Sequence, residues 1–199
     1  MKRNELTNIL LLKINNLSVF LEKYSANEIF IAEYEDNRTC YLLKNIDFDN
    51  NTCIIQVRSS DGREDAPMSF DRNIVFSIYN SDEICFIPID GKGLLKGSNC
   101  DFIFYNERNF CFVELKLNVT SLQEQSVQGN REKAIQQLTN TIDFFDETLN
   151  RYYCGLTIEA FVATPDFYPR ENAAFQTLKV RFKETTQVDL FESREKRYW

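Results

Sequence analysis

Residues 100–116 form the segment that most limits what this chain can fold into. Two runs of aromatic and aliphatic residues flank the polar turn Asn106-Glu107-Arg108-Asn109, and this pattern predicts a β-hairpin. If Tyr105 and Phe110 close the hairpin, antiparallel pairing joins residue 104 to 111, 103 to 112 and 102 to 113. The segment therefore requires a sheet, and it sets the register of one strand pair within that sheet.

Charged side chains interrupt both apolar runs of this hairpin. Asp101 opens the first run, and Glu114 and Lys116 lie near the end of the second. Because successive side chains alternate between the two faces of a strand, the register places Asp101 opposite Glu114, with Lys116 further along the same face. Opposed carboxylates repel one another, and a divalent cation, a shared proton or an ion pair with Lys116 would remove that repulsion.

The alternative interpretation is a cluster of solvated ions, because an antiparallel sheet can leave one face in water. Phe110 and Phe112 share the face of Glu114, which argues against full exposure. Buried carboxylates and a buried lysine are costly unless they are paired or bound to a metal. We therefore interpret the hairpin as a candidate site for chemistry.

The composition excludes several classes of enzyme. The chain of 199 residues contains no histidine, which excludes histidine-dependent triads, H-E-x-x-H zinc proteases and HNH-type nucleases. Its six cysteines form no C-x-x-C pair, and we expect them to be buried, reduced thiols rather than zinc ligands. The formal net charge of −7 argues against a solitary strong DNA binder, although it leaves room for a local basic groove or a bound metal.

The N-terminal region does not have the pattern of a secretory signal. The apolar run Ile9-Leu10-Leu11-Leu12 is cut short by Lys13, and no small-residue cleavage site follows. No apolar run in the sequence is long enough to span a bilayer. We therefore expect a cytoplasmic protein that does not associate with membranes.

Periodicity and turn residues divide the rest of the chain into alternating elements. The predicted helices cover residues 5–25, 129–150 and 171–185, and the predicted strands cover residues 29–34, 39–46, 52–58, 83–89, 156–165 and 188–191. Residues 59–68 read as a polar loop, and residues 71–80 are ambiguous between helix and strand. The loop marks a boundary between an N-terminal helix and β-rich extension, 1–68, and a core, 69–199, and we expect the two parts to form one compact domain.

The order helix, strands including the hairpin, long helix and strand resembles the core of the PD-(D/E)XK phosphodiesterase superfamily. Asp101 is followed after twelve residues by Glu114-Leu115-Lys116, which is similar to that superfamily's D-x(n)-E-x-K signature. The long helix carries Gln137, where several branches place a glutamine near the metal-bound water. Those branches often have a tyrosine one turn later, and Thr141 stands there instead, which leaves the branch open.

The resemblance covers about residues 70–165 and implies an α/β, restriction-endonuclease-like fold. That fold has an αβββαβ core with a central mixed sheet flanked by helices. The resemblance further implies that Asp101, Glu114 and the backbone carbonyl of Leu115 bind Mg²⁺ or Mn²⁺. It implies that Lys116 and Gln137 act beside the nucleophilic water. Many members add an acid from the first core helix, and the candidates in this chain are Glu22, Glu28 and Asp71.

The function that this resemblance implies is a metal-dependent nuclease of a defence, restriction or repair system; we expect its substrate to be DNA, with RNA as the alternative. The alternative is a non-catalytic subunit or protein-interaction module with the same fold, bound to a protein partner or to a second copy. A small-molecule or nucleotide-binding domain is the least favoured, because the glycine-containing loop 90–99 lacks the G-x-x-x-x-G-K-[ST] pattern.

Overall fold

The computed structural model describes residues 3–34, 39–59, 62–91, 94–150, 153, 155–169 and 173–198. The helices are α1 (Arg3–Lys13), α2 (Leu17–Phe20), α3 (Glu124–Leu149) and α4 (Ala173–Thr186). The strands are β1 (Glu22–Tyr24), β2 (Glu28–Tyr34), β3 (Thr39–Asp47), β4 (Thr52–Ser59), β5 (Gly62–Ser69), β6 (Phe76–Tyr79), β7 (Ile84–Pro88), β8 (Phe102–Tyr105), β9 (Asn109–Leu115), β10 (Thr157–Ala163), β11 (Asp189–Glu192) and β12 (Glu195–Arg197). The fold is therefore of the mixed α/β class.

The first sheet contains the predicted hairpin at its centre. Its strand order is β1-β7-β8-β9-β10-β11, with antiparallel pairs as far as β9 and parallel pairs from β9 to β11. Tyr105 pairs with Phe110 and Phe102 pairs with Val113, so the predicted register of the hairpin is confirmed. The parallel β9–β10 pair needs a crossover connection, and α3 provides it.

The second sheet has the order β12-β6-β2-β3-β4-β5 and is also mixed, because β12 and β6 are parallel. A register shift between Lys44 and Asp47 interrupts the β3–β4 pair. Such irregularities bend the strand that carries them. The predicted boundary at residue 68 lies near the end of β5. Each sheet contains strands from both sides of this boundary, because β1 joins the first sheet while β6 and β12 join the second.

The first sheet separates two hydrophobic clusters. On one face, Phe112 packs against Phe145 of α3, with ring centroids 5.8 Å apart. On the other face, Phe102 packs edge-on against Phe76 of the second sheet at 5.7 Å. These side chains are completely buried. Burial on both faces explains why β8 and β9 have almost continuous apolar runs.

The N-terminal prediction was partly wrong. A single helix was predicted over residues 5–25, but α1 ends at Lys13 and β1 occupies residues 22–24. Residues 14–16 separate α1 from α2, and Asn16, the N-cap residue of α2, adopts a left-handed backbone conformation with φ of 62°. The predicted helix 129–150 is confirmed as α3, which begins earlier at Glu124.

The polar loop predicted over residues 59–68 was also wrong. Residues 62–69 form β5, which pairs with β4 along its length, and residues 60 and 61 lie outside the described part of the chain. Backbone hydrogen bonds in the hairpin order this edge strand, and its mostly exposed polar side chains do not oppose strand formation. The ambiguous stretch 71–80 contains a 3₁₀ turn, Arg72–Ile74, followed by β6.

The predicted state of the cysteines is confirmed for those that the structure describes. Their side chains are buried free thiols: Cys40, Cys53, Cys85, Cys100 and Cys111. Cys154 lies outside the described residues. Within the described residues, no helix is both long and apolar enough to cross a bilayer.

Candidate active site

The structure brings the four predicted site residues to one end of the hairpin, on the face that packs against α3. Asp101 immediately precedes β8, Glu114 lies in β9, and Lys116 directly follows Leu115, the last residue of β9. The N–H of Lys116 still donates to the carbonyl of Ala163 at 2.7 Å, so pairing with the neighbouring strand continues to this residue. Gln137 lies on the buried side of α3.

A chain of polar contacts joins three of these side chains. The ammonium group of Lys116 contacts Oε1 of Glu114 and donates to Oε1 of Gln137 at 3.1 Å. The Gln137 amide nitrogen donates to the backbone carbonyl of Asn99 at 2.8 Å. Each amide atom of Gln137 therefore has a partner of the correct type, and the glutamine links Lys116 to the loop before Asp101.

Asp101 is held mainly by the backbone around it. Its Oδ2 accepts a hydrogen bond of 2.5 Å from the N–H of Leu115, and its own N–H donates to the carbonyl of Val113 at 3.1 Å. The N–H groups of Ile89 and Asp90 both donate to its carbonyl, at 2.8 and 3.2 Å. These bonds connect β7, β8 and β9 at the site and fix the direction of the carboxylate.

Thr141 follows Gln137 by one helical turn, at the position where the resemblance led us to look for a tyrosine. Its hydroxyl oxygen accepts a hydrogen bond of 2.8 Å from the N–H of Cys100, and its hydroxyl group donates to the carbonyl of Gln137 at 2.9 Å. Thr141 therefore attaches the residue before Asp101 to α3. Its role in this chain is to position the site.

Both carboxylates of the site are deeply buried. Asp101 is 6% exposed and Glu114 is 1% exposed. Burial raises the pKa of Asp101 to about 7, although the Leu115 N–H and the Lys116 charge oppose the rise. Burial also raises the pKa of Glu114 well above its ordinary value, and the charge of Asp101 adds to the effect. Burial therefore disfavours the ionised form of both carboxylates, and the Lys116 ammonium group partly offsets this effect.

One carboxylate oxygen of this pair lacks a hydrogen-bond partner among the described residues. Within the described part of the chain, Oε2 of Glu114 is buried and accepts no hydrogen bond. An unpaired buried carboxylate oxygen is costly, and a divalent cation beside it would offset that cost. Asp101 and Glu114 therefore fit a hard cation such as Mg²⁺, which takes one or two carboxylates and completes its shell with other oxygen atoms.

The described residues contain no group of three or more His, Cys, Asp or Glu side chains that could hold a metal ion. The Asp101–Glu114 pair is thus at most a two-carboxylate site, and further ligands would come from the backbone or from water. The proposed role of the Leu115 carbonyl as a metal ligand stays a prediction. The side chain of Leu115 faces away from Asp101 and Glu114, towards the second sheet.

None of the three candidates for an additional acid contacts Asp101 or Glu114 in the described residues. Glu22 forms an ion pair with Lys44 at 3.1 Å. Glu28 is exposed at the start of β2, and Asp71 accepts a hydrogen bond from the N–H of Asn73.

Sequence reasoning missed a different carboxylate, Asp90, which follows β7 closely. Its charge contributes to the raised pKa values of Asp101 and Glu114. The sequence feature that could have indicated Asp90 is its position just after β7, the apolar strand that pairs with β8. The significance of that position could be recognised only once the pairing of β7 with β8 was known.

Comparisons with family models, with curated proteins and with solved structures find no match to this chain.

Proposed function

We propose that this protein is a metal-dependent nuclease that hydrolyses phosphodiester bonds in DNA, with a core of the PD-(D/E)XK type. The observation that carries the proposal is the buried Oε2 of Glu114, which lacks a partner within the described residues, on a carboxylate opposite Asp101. Lys116 lies beside this carboxylate on a rigid strand end, and no histidine in the chain offers a competing centre of chemistry. A defence, restriction or repair setting follows from the family resemblance alone.

The order of the elements supports this proposal. With α2 and β1 to β6 set aside as additions between α1 and β7, the elements α1, β7, β8, β9, α3 and β10 follow the αβββαβ order that the resemblance implies. The parallel β10 strand lies directly beside β9, so the strand that carries Glu114 is central in the sheet. A central strand holds a functional side chain more rigidly than an edge strand or a loop does.

Asp101 and Glu114 would hold the divalent cation, with the carbonyl of Leu115 as a further ligand. When bound, such a cation polarises a phosphoryl oxygen and lowers the pKa of water. The Lys116 ammonium group can donate hydrogen bonds to a water molecule and to the charge that develops on phosphate. Gln137 holds Lys116 on the side of Glu114, which removes the need to order a flexible side chain during the reaction.

The proposal is tested by measuring cleavage of labelled DNA with Mg²⁺ or Mn²⁺ for the wild type and Lys116→Ala. The loss of one preorganised donor to a developing charge lowers the rate by roughly 100- to 1,000-fold. The matched control is Lys196→Ala, because the Lys196 side chain is as shielded as that of Lys116 and forms a 2.5 Å ion pair with Glu159 of β10. Equal cleavage by Lys116→Ala and the wild type would contradict the proposal.

One observation favours the second candidate, a non-catalytic module with the same fold. Lys116 already contacts Glu114, and this ion pair offsets part of the buried negative charge without a metal. Titration calorimetry with Mn²⁺ separates the two candidates. The nuclease predicts a binding site that Asp101→Asn abolishes, whereas the non-catalytic module predicts no heat that depends on Asp101.

A further inference from the structure

Two cavities lie between the ends of the two sheets, on the side of β9 that the Leu115 side chain faces. A cavity of about 170 Å³ is lined by Lys116 and Glu33, and it adjoins a larger cavity of about 590 Å³. The residues that line both are Ile74, Leu117, Asn118 and Val119. Because they share these walls, the two cavities adjoin; we refer to them together as the groove, and Lys116 lines its smaller part.

An exposed aromatic ring lies at the outer part of this groove. Phe167 is 51% exposed, more than any other phenylalanine among the described residues, and it lines the larger cavity. The turn that carries it is fixed, because the N–H of Tyr168 donates to the carbonyl of Pro165 at 3.0 Å. The Tyr168 side chain is buried, and its hydroxyl oxygen accepts a hydrogen bond from Asn130. The ring is therefore presented to the groove by a rigid support.

The lining of the groove suits nucleobases better than phosphate groups. Among the described residues that line the larger cavity, the one cationic side chain is Arg194, and it forms an ion pair with Asp166 at 2.8 Å. Asp71 and, in the smaller cavity, Glu33 add negative charge, and the amide groups of Asn73 and Asn118 donate to these carboxylates at 2.9 and 3.4 Å. The net charge of −7 also argues against extensive phosphate contacts, because binding many phosphates of a nucleic-acid backbone requires many lysines and arginines.

The depth of the site restricts the form of the substrate. Asp101 and Glu114 are 6% and 1% exposed and do not line the groove, which meets the candidate site at Lys116. Duplex DNA is stiff over about 150 base pairs and keeps its bases stacked inside. An unpaired strand bends freely and exposes its bases to aromatic side chains.

We propose that the substrate is single-stranded DNA, with one base stacked on Phe167 and the adjoining phosphodiester directed towards Lys116. This inference rests on the proposed nuclease function and names the substrate class of that same site. Affinity then comes from stacking and from apolar contacts in the groove rather than from a basic surface.

The test measures binding of a labelled oligothymidylate of about 12 nucleotides, within the site sizes of single-strand binders. Fluorescence anisotropy is recorded in EDTA, so that cleavage does not interfere. Because stacking contributes about 1–3 kcal/mol per base, Phe167→Ala is expected to weaken binding at least about fivefold. Phe167→Tyr keeps the ring and is expected to bind as the wild type does.

Phe191→Ala is the matched control, because Phe191 is 38% exposed and does not line the groove. Its affinity for the oligonucleotide is expected to be unchanged. Equal binding by the wild type and Phe167→Ala, or tighter binding of a duplex of the same length, overturns the inference.

A cleavage assay with Mn²⁺ keeps this inference separate from the proposed function. If the wild type cleaves duplex DNA faster than single strands and Phe167→Ala cleaves equally well, the inference fails and the nuclease stands. If single strands bind in a Phe167-dependent way but neither substrate is cleaved, the nuclease fails and the groove remains a single-strand site.

Discussion

Substitution of Asp101 by asparagine is predicted to stabilise the metal-free protein at alkaline pH. The amide is nearly isosteric with the carboxylate, and its oxygen can accept the hydrogen bond that the Leu115 N–H donates to Oδ2. The substitution removes a negative charge that is 6% exposed and lies opposite Glu114. It therefore relieves both the desolvation of Asp101 and its repulsion of the second carboxylate.

The magnitude follows from the pKa of Asp101. Burial raises this pKa from 3.8 to about 7, and each pKa unit corresponds to about 1.36 kcal/mol. The carboxylate therefore costs the folded state up to about 4 kcal/mol once it is fully ionised. Protonation of the coupled Glu114 reduces this figure, so about 2–4 kcal/mol is the expected range for the gain in Asp101→Asn.

The direction of this pKa shift determines the pH range over which Asp101→Asn stabilises the protein. Because the folded-state pKa is raised, the stabilising contribution of Asp101 is present below pH 4 and is lost as the pH rises through about 7. Urea unfolding in EDTA at pH 5 and pH 8 measures the free energy of unfolding of both proteins. The loss accumulates from pH 3.8 upward, so the advantage of Asp101→Asn is expected to be somewhat less than half of its full value at pH 5 and to approach that full value at pH 8.

The control is Asp143→Asn, which removes an exposed carboxylate from α3. This variant is expected to change the free energy of unfolding by less than about 0.5 kcal/mol at both pH values. The reasoning is refuted if Asp101→Asn is less stable than the wild type at pH 8. It is also refuted if its advantage is the same at pH 5 and pH 8.

Two further substitutions test how the site and the adjacent helix are held. Thr141→Val removes the acceptor of the Cys100 N–H and is expected to lower the free energy of unfolding by about 1–3 kcal/mol in urea titrations; a change within experimental error would contradict this role. Arg131 is completely buried and donates to both carboxylate oxygens of Glu192 at 2.8 and 2.9 Å. Arg131→Ala leaves Glu192 without this partner and is expected to cost about 3–5 kcal/mol by the same measurement, whereas a loss below about 1 kcal/mol would show that the ion pair contributes little.

The hairpin was predictable from sequence because its information is local. A polar turn and two runs with alternating faces set the register, and the register alone placed Asp101 opposite Glu114. The position of Gln137 was predictable for a similar reason, since this residue borders the apolar stripe of α3 that packs on the first sheet. Local periodicity was sufficient wherever an element buries one defined face.

The elements that sequence reasoning missed depend on partners distant in the chain or on backbone pairing. β5 is polar and mostly exposed, and pairing with β4 is what orders it. β12 is likewise short and polar, and it exists because β6 offers a free edge. The contribution of Asp90 was hidden for the same reason, because it requires β7 to lie beside β8. None of these strand pairings produces a recognisable sequence pattern in the segment concerned.

The central claim is that Asp101 and Glu114 bind a divalent cation, and anomalous diffraction from crystals soaked in Mn²⁺ tests it most directly. The account predicts a peak in contact with Oε2 of Glu114 and with the carboxylate of Asp101, at the oxygen–metal distance of roughly 2.0–2.3 Å expected for a hard cation. Crystals of Glu114→Gln should lack that peak. A peak elsewhere in the chain, or its persistence in Glu114→Gln, would contradict the claim.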